Sequence, residues 1–199
     1  MRKIGPAWKW ILLILLAIAA IVLAFHFDGA MRHWVAEHSN RTAKQVMRSG
    51  SHYGDWPEHL AAGLLIAGIA ALRGNKRWVH IGLTMIAALA LAGLLARGVK
   101  IATGRARPSV KHELGWSGPH LSSKYNSFPS GHTAATTAFF GVVFFANRRL
   151  ALALSPIPLL IAFSRMYVAA HYLSDVVCAA ILGILCAWVC ARWRPPPIG

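Results

Sequence analysis

At 199 residues the chain has the length of one domain, and 56% hydrophobic against only 14% charged residues excludes a disordered or ordinary soluble composition. Lys and Arg number 21 against six acids, a formal charge of +15, but the cations sit between apolar runs rather than along one stripe. Anionic lipid head groups and a phosphorylated substrate therefore fit better as partners than nucleic acid.

The first apolar run is Ile11 to Phe25, preceded by Arg2, Lys3 and Lys9. Ala17-Ile18-Ala19 resembles a signal cleavage site, but the run continues past it, so it is read as an uncleaved first span. Asp28 to Trp56 is polar and mixed, a loop or a surface-lying helix, with Trp34 and Val35 at head-group level. The second run is Pro57 to Leu72, and Pro57 suits a first helical turn. The third is Val79 to Ala96. Arg97 to Ser130 is rich in Gly, Pro, Ser and basic residues and reads as a loop. The fourth run is Thr133 to Ala146, and Asn147-Arg148-Arg149 turns into the fifth, Leu150 to about Ala170, with kinks at Pro156 and Pro158. The sixth runs from about Leu173 to Val189, and Arg192-Trp193-Arg194 with the following prolines forms an interfacial stop.

The expected fold class is all-α: one domain over residues 1–199, an integral membrane bundle of six transmembrane helices. Several runs fall short of the ~20 residues that cross a bilayer and need flanking Trp56, Trp78 and Tyr172 to complete them. Cys178, Cys186 and Cys190 lie at spacings of eight and four in the last run and read as small hydrophobes on one helix face.

Orientation follows from short basic loops. With six spans, the amino end, Arg73-Lys76-Arg77, Arg148-Arg149 and the tail share one side, which is expected to be cytoplasmic. The opposite side has longer loops and every acid: Asp28, Glu37, Asp55, Glu58, Glu113 and Asp175. Both termini are then cytoplasmic.

Three polar clusters fall on the outer side. Lys100 and Arg107 are seven apart, so two helical turns align them; alone, they also describe a snorkelling basic helix end. Pro129-Ser130-Gly131-His132 opens the fourth run, where backbone N–H groups favour an anion; alone, it also describes a helix cap. Ser164-Arg165 is followed by His171 and Asp175, four apart and on one face of a helix; alone, it is an interfacial loop with an Asp–His pair. Together they supply cations and N–H groups for phosphoryl oxygens, one histidine to attack and one to protonate a leaving group. His171 has a carboxylate one turn away, which makes it the more basic and better oriented ring.

These clusters resemble the three signatures of the type 2 phosphatidic acid phosphatase family, KX6RP, PSGH and SRX5HX3D, over roughly residues 100–175. The resemblance implies a metal-independent lipid phosphatase with no cofactor, integral to a bacterial inner membrane with its site on the extracytoplasmic face. It implies that His171 attacks phosphorus and forms a phosphohistidine, that Asp175 fixes its tautomer, and that His132 serves as acid and then base. Lys100, Arg107, Arg165, Ser130 and Gly131 would hold the phosphoryl oxygens. Six scattered acids do not readily build a magnesium cage. Arg105 and Lys111 either add positive field around the site or are simply solvated, Lys124, Tyr125 and Asn126 would line the entrance, and His52, Asp55 and Glu58 either touch the head group or are solvated at the interface.

Among family substrates the compact chain suits undecaprenyl diphosphate; phosphatidylglycerophosphate, phosphatidate and the lipid A phosphates, including transfer to a lipid acceptor, are the alternatives. Vanadium-dependent haloperoxidases share the signature, but they resemble soluble proteins and the apolar runs count against them. Arg165 and His171, six apart, point about 240° apart on a continuous helix. A break between them, turning both side chains toward Ser130, is therefore expected.

Overall fold

A computed structural model describes residues 7–110, 115–119 and 121–192. Arg2, Lys3, Lys111, Glu113, Trp193, Arg194 and the terminal prolines lie outside these residues. The described chain forms α1 (Ala7–His38), α2 (Arg41–His52), α3 (Trp56–Leu72), α4 (Lys76–Thr103), α5 (Gly131–Ala146), α6 (Arg148–Leu154), α7 (Pro156–Tyr167) and α8 (Leu173–Arg192), with one 3-10 turn at Ser123–Tyr125.

The first helix differs from the sequence expectation. It continues well past Phe25 to His38, into the segment read as a loop or a surface-lying helix. Its buried stripe is Ala24, Asp28 and Val35, so a carboxylate occupies one of the inward positions and interrupts the apolar pattern. The rest of the polar segment is α2, capped by Asn40, whose Oδ1 accepts from Ala43 N–H at 2.7 Å, and packed on α7.

Asp55 caps α3, and Pro57 sits in its first turn. The helix α4 also outruns its apolar core, reaching Thr103 before Gly104 adopts φ 56° and ends it. A Cβ on Gly104 would lie only 1.9 Å from the Gly118 carbonyl oxygen, so the stop needs glycine twice over. This removes the expected two-turn alignment of Lys100 with Arg107: Arg107 lies beyond the helix.

The α6–α7 break falls at Ser155–Pro156, where a proline cannot continue the hydrogen-bond ladder. The α7–α8 turn contains Ala169 at φ 54° and separates Arg165 from His171, as the angular argument required.

Among the described residues four stretches are long and apolar enough to cross a membrane: α1, α4, Arg148–Tyr167 and α8. The apolar helices α3 and α5, of 17 and 16 residues, are shorter. At the centre, α5 packs against α3, α4, α6, α7 and α8, most extensively against α8. That contact is built from small residues, Ala134 and Ala138 facing Ala179, Gly183 and Ala187, which lets the backbones approach closely. Cys186 is buried in the same core, while Cys178 and Cys190 are half-buried; all three are free thiols.

A Cβ on Gly183 would lie 2.7 Å from the Ala134 oxygen and 2.9 Å from the Ala138 nitrogen, both backbone atoms that cannot swing away. Gly183→Val is expected to cost about 1–3 kcal/mol by overpacking. A thermal melt in detergent should fall accordingly, while Gly93→Ala, whose Cβ meets nothing within 4 Å, should not lower it.

Candidate active site

The C-terminal end of α4, the N-terminal end of α5 and the α7–α8 turn meet at one end of the bundle. Ser130 N–H donates to the Asp175 carbonyl at 3.1 Å, tying the start of α5 to the start of α8. A Cβ on Gly131 would meet Lys100 Cε at 3.6 Å, so the lysine lies over the start of α5.

Asp175 is fully buried. Its Oδ1 accepts from Arg105 Nη1 at 2.5 Å. Its Oδ2 accepts from Ser127 Oγ at 2.5 Å and from Tyr172 N–H at 2.8 Å. Arg105 bridges onward: Nη2 donates to Asp28 Oδ2 at 2.7 Å, and Nη1 also reaches Ser174 Oγ at 2.7 Å. Asp28 in turn accepts from Ser174 N–H and Oγ, at 2.8 and 2.5 Å. The guanidinium is roofed by Tyr172, Trp116 and Phe25, at 4.2, 5.0 and 5.3 Å from their ring centres.

Arg105 was expected either to lend positive field to the site or to be solvated. Its charge is instead committed to two carboxylates, and only 8% of the residue is exposed. Its backbone joins the same network, because Ser127 N–H donates to the Arg105 carbonyl at 3.0 Å.

His171 is oriented through Ser127 as much as through Asp175. Nδ1 lies 2.7 Å from the Ser127 carbonyl and 3.5 Å from Asp175 Oδ2. A carbonyl only accepts, so Nδ1 carries the proton in the neutral ring and Nε2 keeps a free lone pair. Burial pushes His171 down to about 3, against the raising influence of Asp175. The neighbouring carboxylate therefore orients the ring without making it basic, which corrects the expectation drawn from spacing alone.

The cations stand to one side. Lys100 Nζ donates to the Asn126 carbonyl at 2.8 Å. Arg165 Nη1 donates to Ser51 Oγ of α2 at 2.9 Å. The Nε atoms of Arg107 and Arg165 are buried donors without a partner. Ser130 Oγ accepts from Thr133 Oγ1 at 3.0 Å and from Thr133 N–H at 3.4 Å, acting as the α5 cap; neither Arg165 nor His171 hydrogen-bonds it. His132 faces Asp55, with Nε2 3.9 Å from Oδ2.

The 3-10 turn at 123–125 docks on Arg107, whose N–H donates to the Lys124 carbonyl at 3.0 Å. His52 pairs with Glu58, Nε2 to Oε1 at 3.3 Å. Among the described residues no group of three or more His, Cys, Asp or Glu side chains is placed to hold a metal.

Asp28, Ser127 and Ser174 had no role in the sequence reading. The available signal was electrostatic: an aspartate in the register of an apolar helix calls for a buried cation, and Arg105 is the match.

A family model described as the PAP2 superfamily matches residues 77–198. The lipid A 1-phosphatase of Rhizobium johnstonii is 35% identical over 114 residues, covering 54% of this chain and 44% of that protein. The undecaprenyl-diphosphatase BcrC of Bacillus subtilis is 30% identical over 121 residues, covering 61% and 60%. The chain thus spans about half the length of the curated relatives it matches. The crystal structure of a transmembrane PAP2-type phosphatidylglycerolphosphate phosphatase from Bacillus subtilis superposes with TM-score 0.67 at 22% identity, over 90% of this chain and 92% of that one, which shows a shared fold.

The neutral His171 has a measurable consequence. Its pKa is lowered from 6.5 to about 3, so the unfolded chain binds the proton first as pH falls. The stability it contributes is fully present above 6.5 and is lost toward 3, at about 1.4 kcal/mol per pH unit. The ring nitrogen shifts of His171 are expected to stay flat from about pH 8 to about pH 5 in a heteronuclear titration; a midpoint near 6.5 contradicts the assignment.

Proposed function

The chain belongs to the PAP2 superfamily, and from that premise we propose that it is an integral membrane lipid phosphatase acting through a phosphohistidine on His171. The observation that carries the reading is the pair of buried, unpartnered Nε donors of Arg107 and Arg165, beside Lys100 and the N-terminus of α5. A phosphoryl group is the anion that supplies acceptors to all of them.

His171 Nε2 attacks phosphorus, and the bond to the lipid oxygen breaks as His132 gives that oxygen its proton. Water then attacks the phosphohistidine, its proton passes to His132, and the N–P bond breaks to release phosphate. Lys100, Arg107, Arg165, the Ser130 hydroxyl and the Gly131 N–H hold the equatorial oxygens. Asp175 and Ser127 keep Nδ1 protonated and the ring aimed, and they stabilise the positive ring that forms during attack. No step requires a metal.

The membrane reading has six spans: α1, α3, α4, α5, α6–α7 and α8. Residues 1–199 form one domain of a bacterial inner membrane, with both termini cytoplasmic and the site extracytoplasmic at head-group level. Lipid tails stay in the bilayer while the phosphate reaches His171.

Undecaprenyl diphosphate is the preferred substrate in this reading. A cavity of about 390 Å³ beside His171 is lined by Arg32, Lys44 and Asp28 among apolar side chains such as Met31, Val35 and Met166, and in this reading its two cations take the second phosphate. The similarity to BcrC supports it. The second reading is a lipid A phosphatase or phosphotransferase, favoured by the 35% identity to the Rhizobium johnstonii protein; phosphatidylglycerophosphate and phosphatidate are further candidates.

A phosphate-release panel of purified protein against these lipids tests the reading. His171→Ala is expected to lower release by about 1000-fold or more and to abolish the acid-labile phosphoenzyme. Activity should survive a chelator and be blocked by vanadate, a mimic of five-coordinate phosphorus. Strict magnesium dependence, or an unaffected His171→Ala variant, sinks the proposal.

The cavity makes a separate claim. Removing both charges in Arg32→Ala/Lys44→Ala should lower kcat/KM for the diphosphate lipid about tenfold or more, about 1.4 kcal/mol. The loss on phosphatidate should be smaller. Equal losses on both substrates remove the second-phosphate assignment.

A further inference from the structure

His132 sits among like charges. Lys100 from α4, Arg107 from the loop after it and Arg165 from α7 all act on its ring. The proposed chemistry needs a proton on this ring for the leaving oxygen. The carboxylate that faces the ring is Asp55, on the connection between α2 and α3, with Oδ2 3.9 Å from His132 Nε2.

Asp55 is held in place independently of His132. Its Oδ1 accepts from Trp56 N–H at 2.9 Å as the cap of α3. Its carbonyl lies 2.8 Å from Nδ1 of the buried His59, whose ring meets Phe139 of α5 edge-on at 4.9 Å. The preceding Gly54 carbonyl accepts from Thr136 Oγ1 at 3.2 Å. Thr136 lies one turn beyond His132 on the same face of α5. The connection is thus docked along the α5 face that presents the histidine. The nearby Glu58 is turned away, with Oε1 on His52.

We propose that Asp55 is a positioning residue for His132, orienting the ring through Nε2 so that Nδ1 serves the leaving oxygen. The proposal rests on the phosphatase reading above. Its chemistry depends on the leaving group. An alkoxide leaving from phosphatidate needs a full proton, whereas a lipid phosphate leaving from a diphosphate is already a weak base. The help Asp55 gives should scale in the same order.

Asp55→Asn is the informative variant, because asparagine caps a helix as well as aspartate and α3 keeps its start. With full-length protein in detergent, Asp55→Asn should lower kcat on phosphatidate by about tenfold or more, leave KM nearly unchanged, and cost at most about threefold on farnesyl diphosphate. The alkaline limb of its kcat profile should move to lower pH, since a ring without its carboxylate gives up its proton sooner. Its melting temperature should match the wild type, while Asp55→Ala melts lower through loss of the cap.

Equal losses on both substrates, an unmoved alkaline limb, or a change in KM alone overturns the role of Asp55 while phosphate release by the wild type stands. A wild type that releases phosphate from neither lipid overturns the phosphatase reading and this proposal together.

Discussion

The end of the bundle that carries the site is organised by one requirement: a carboxylate with no exposure to water must be fully satisfied. Asp175 meets it with Arg105, Ser127 Oγ and Tyr172 N–H, and the partners come from the loop after α4, the loop before α5 and the start of α8. Arg105 then needs a second anion, which Asp28 supplies from the far element α1. One buried charge thereby recruits four segments separated by up to 147 positions in the chain. Removing Arg105 leaves two buried carboxylates without their cation, and that is costlier than losing one contact.

The same network separates two kinds of cation. Arg105 is neutralised inside the protein, under three aromatic rings. Lys100, Arg107 and Arg165 are not matched by buried carboxylates, and two of them carry buried donors without partners. A field of this kind is built before an anion arrives, so the anion finds its donors oriented without further rearrangement. The small residues of α5 and α8 matter here because they let the two helix starts approach, and the Ser130–Asp175 backbone bond marks where they do.

What the sequence made legible follows from how each feature is encoded. The apolar cores, Pro57 in a first helical turn, the cap at Ser130, and the break between Arg165 and His171 are local, and they appear at or near the expected positions. The ends of α1 and α4 were misjudged because both helices continue through polar residues. In α1 the inward position is Asp28, which reads as solvent-facing until its partner is known. In α4 the stop lies at Gly104 rather than at the first cation, because the penalty for continuing is steric and involves Gly118, fourteen residues away. The residues grouped by spacing, from Lys100 to Asp175, do come together. The shell that holds them, Asp28, Arg105, Ser127 and Ser174, is assembled by tertiary pairing with no fixed spacing. The environment of His171 was hidden for the same reason: a carboxylate four residues away is visible in the sequence, but the burial that outweighs it is not.

Each of the two histidines has a carboxylate, and in the mechanism we propose the two rings have opposite tasks. A nucleophile must keep a lone pair. The carboxylate beside His171 is held by a guanidinium, a hydroxyl and an amide, and burial of the ring outweighs its pull on a second proton. A general acid must keep its proton until the leaving oxygen takes it. The carboxylate beside His132 is 41% exposed at its side chain and has no arginine clamped across it, so its charge remains available to the ring. Spacing made His171 the stronger base, but burial of the ring outweighs the carboxylate four residues away.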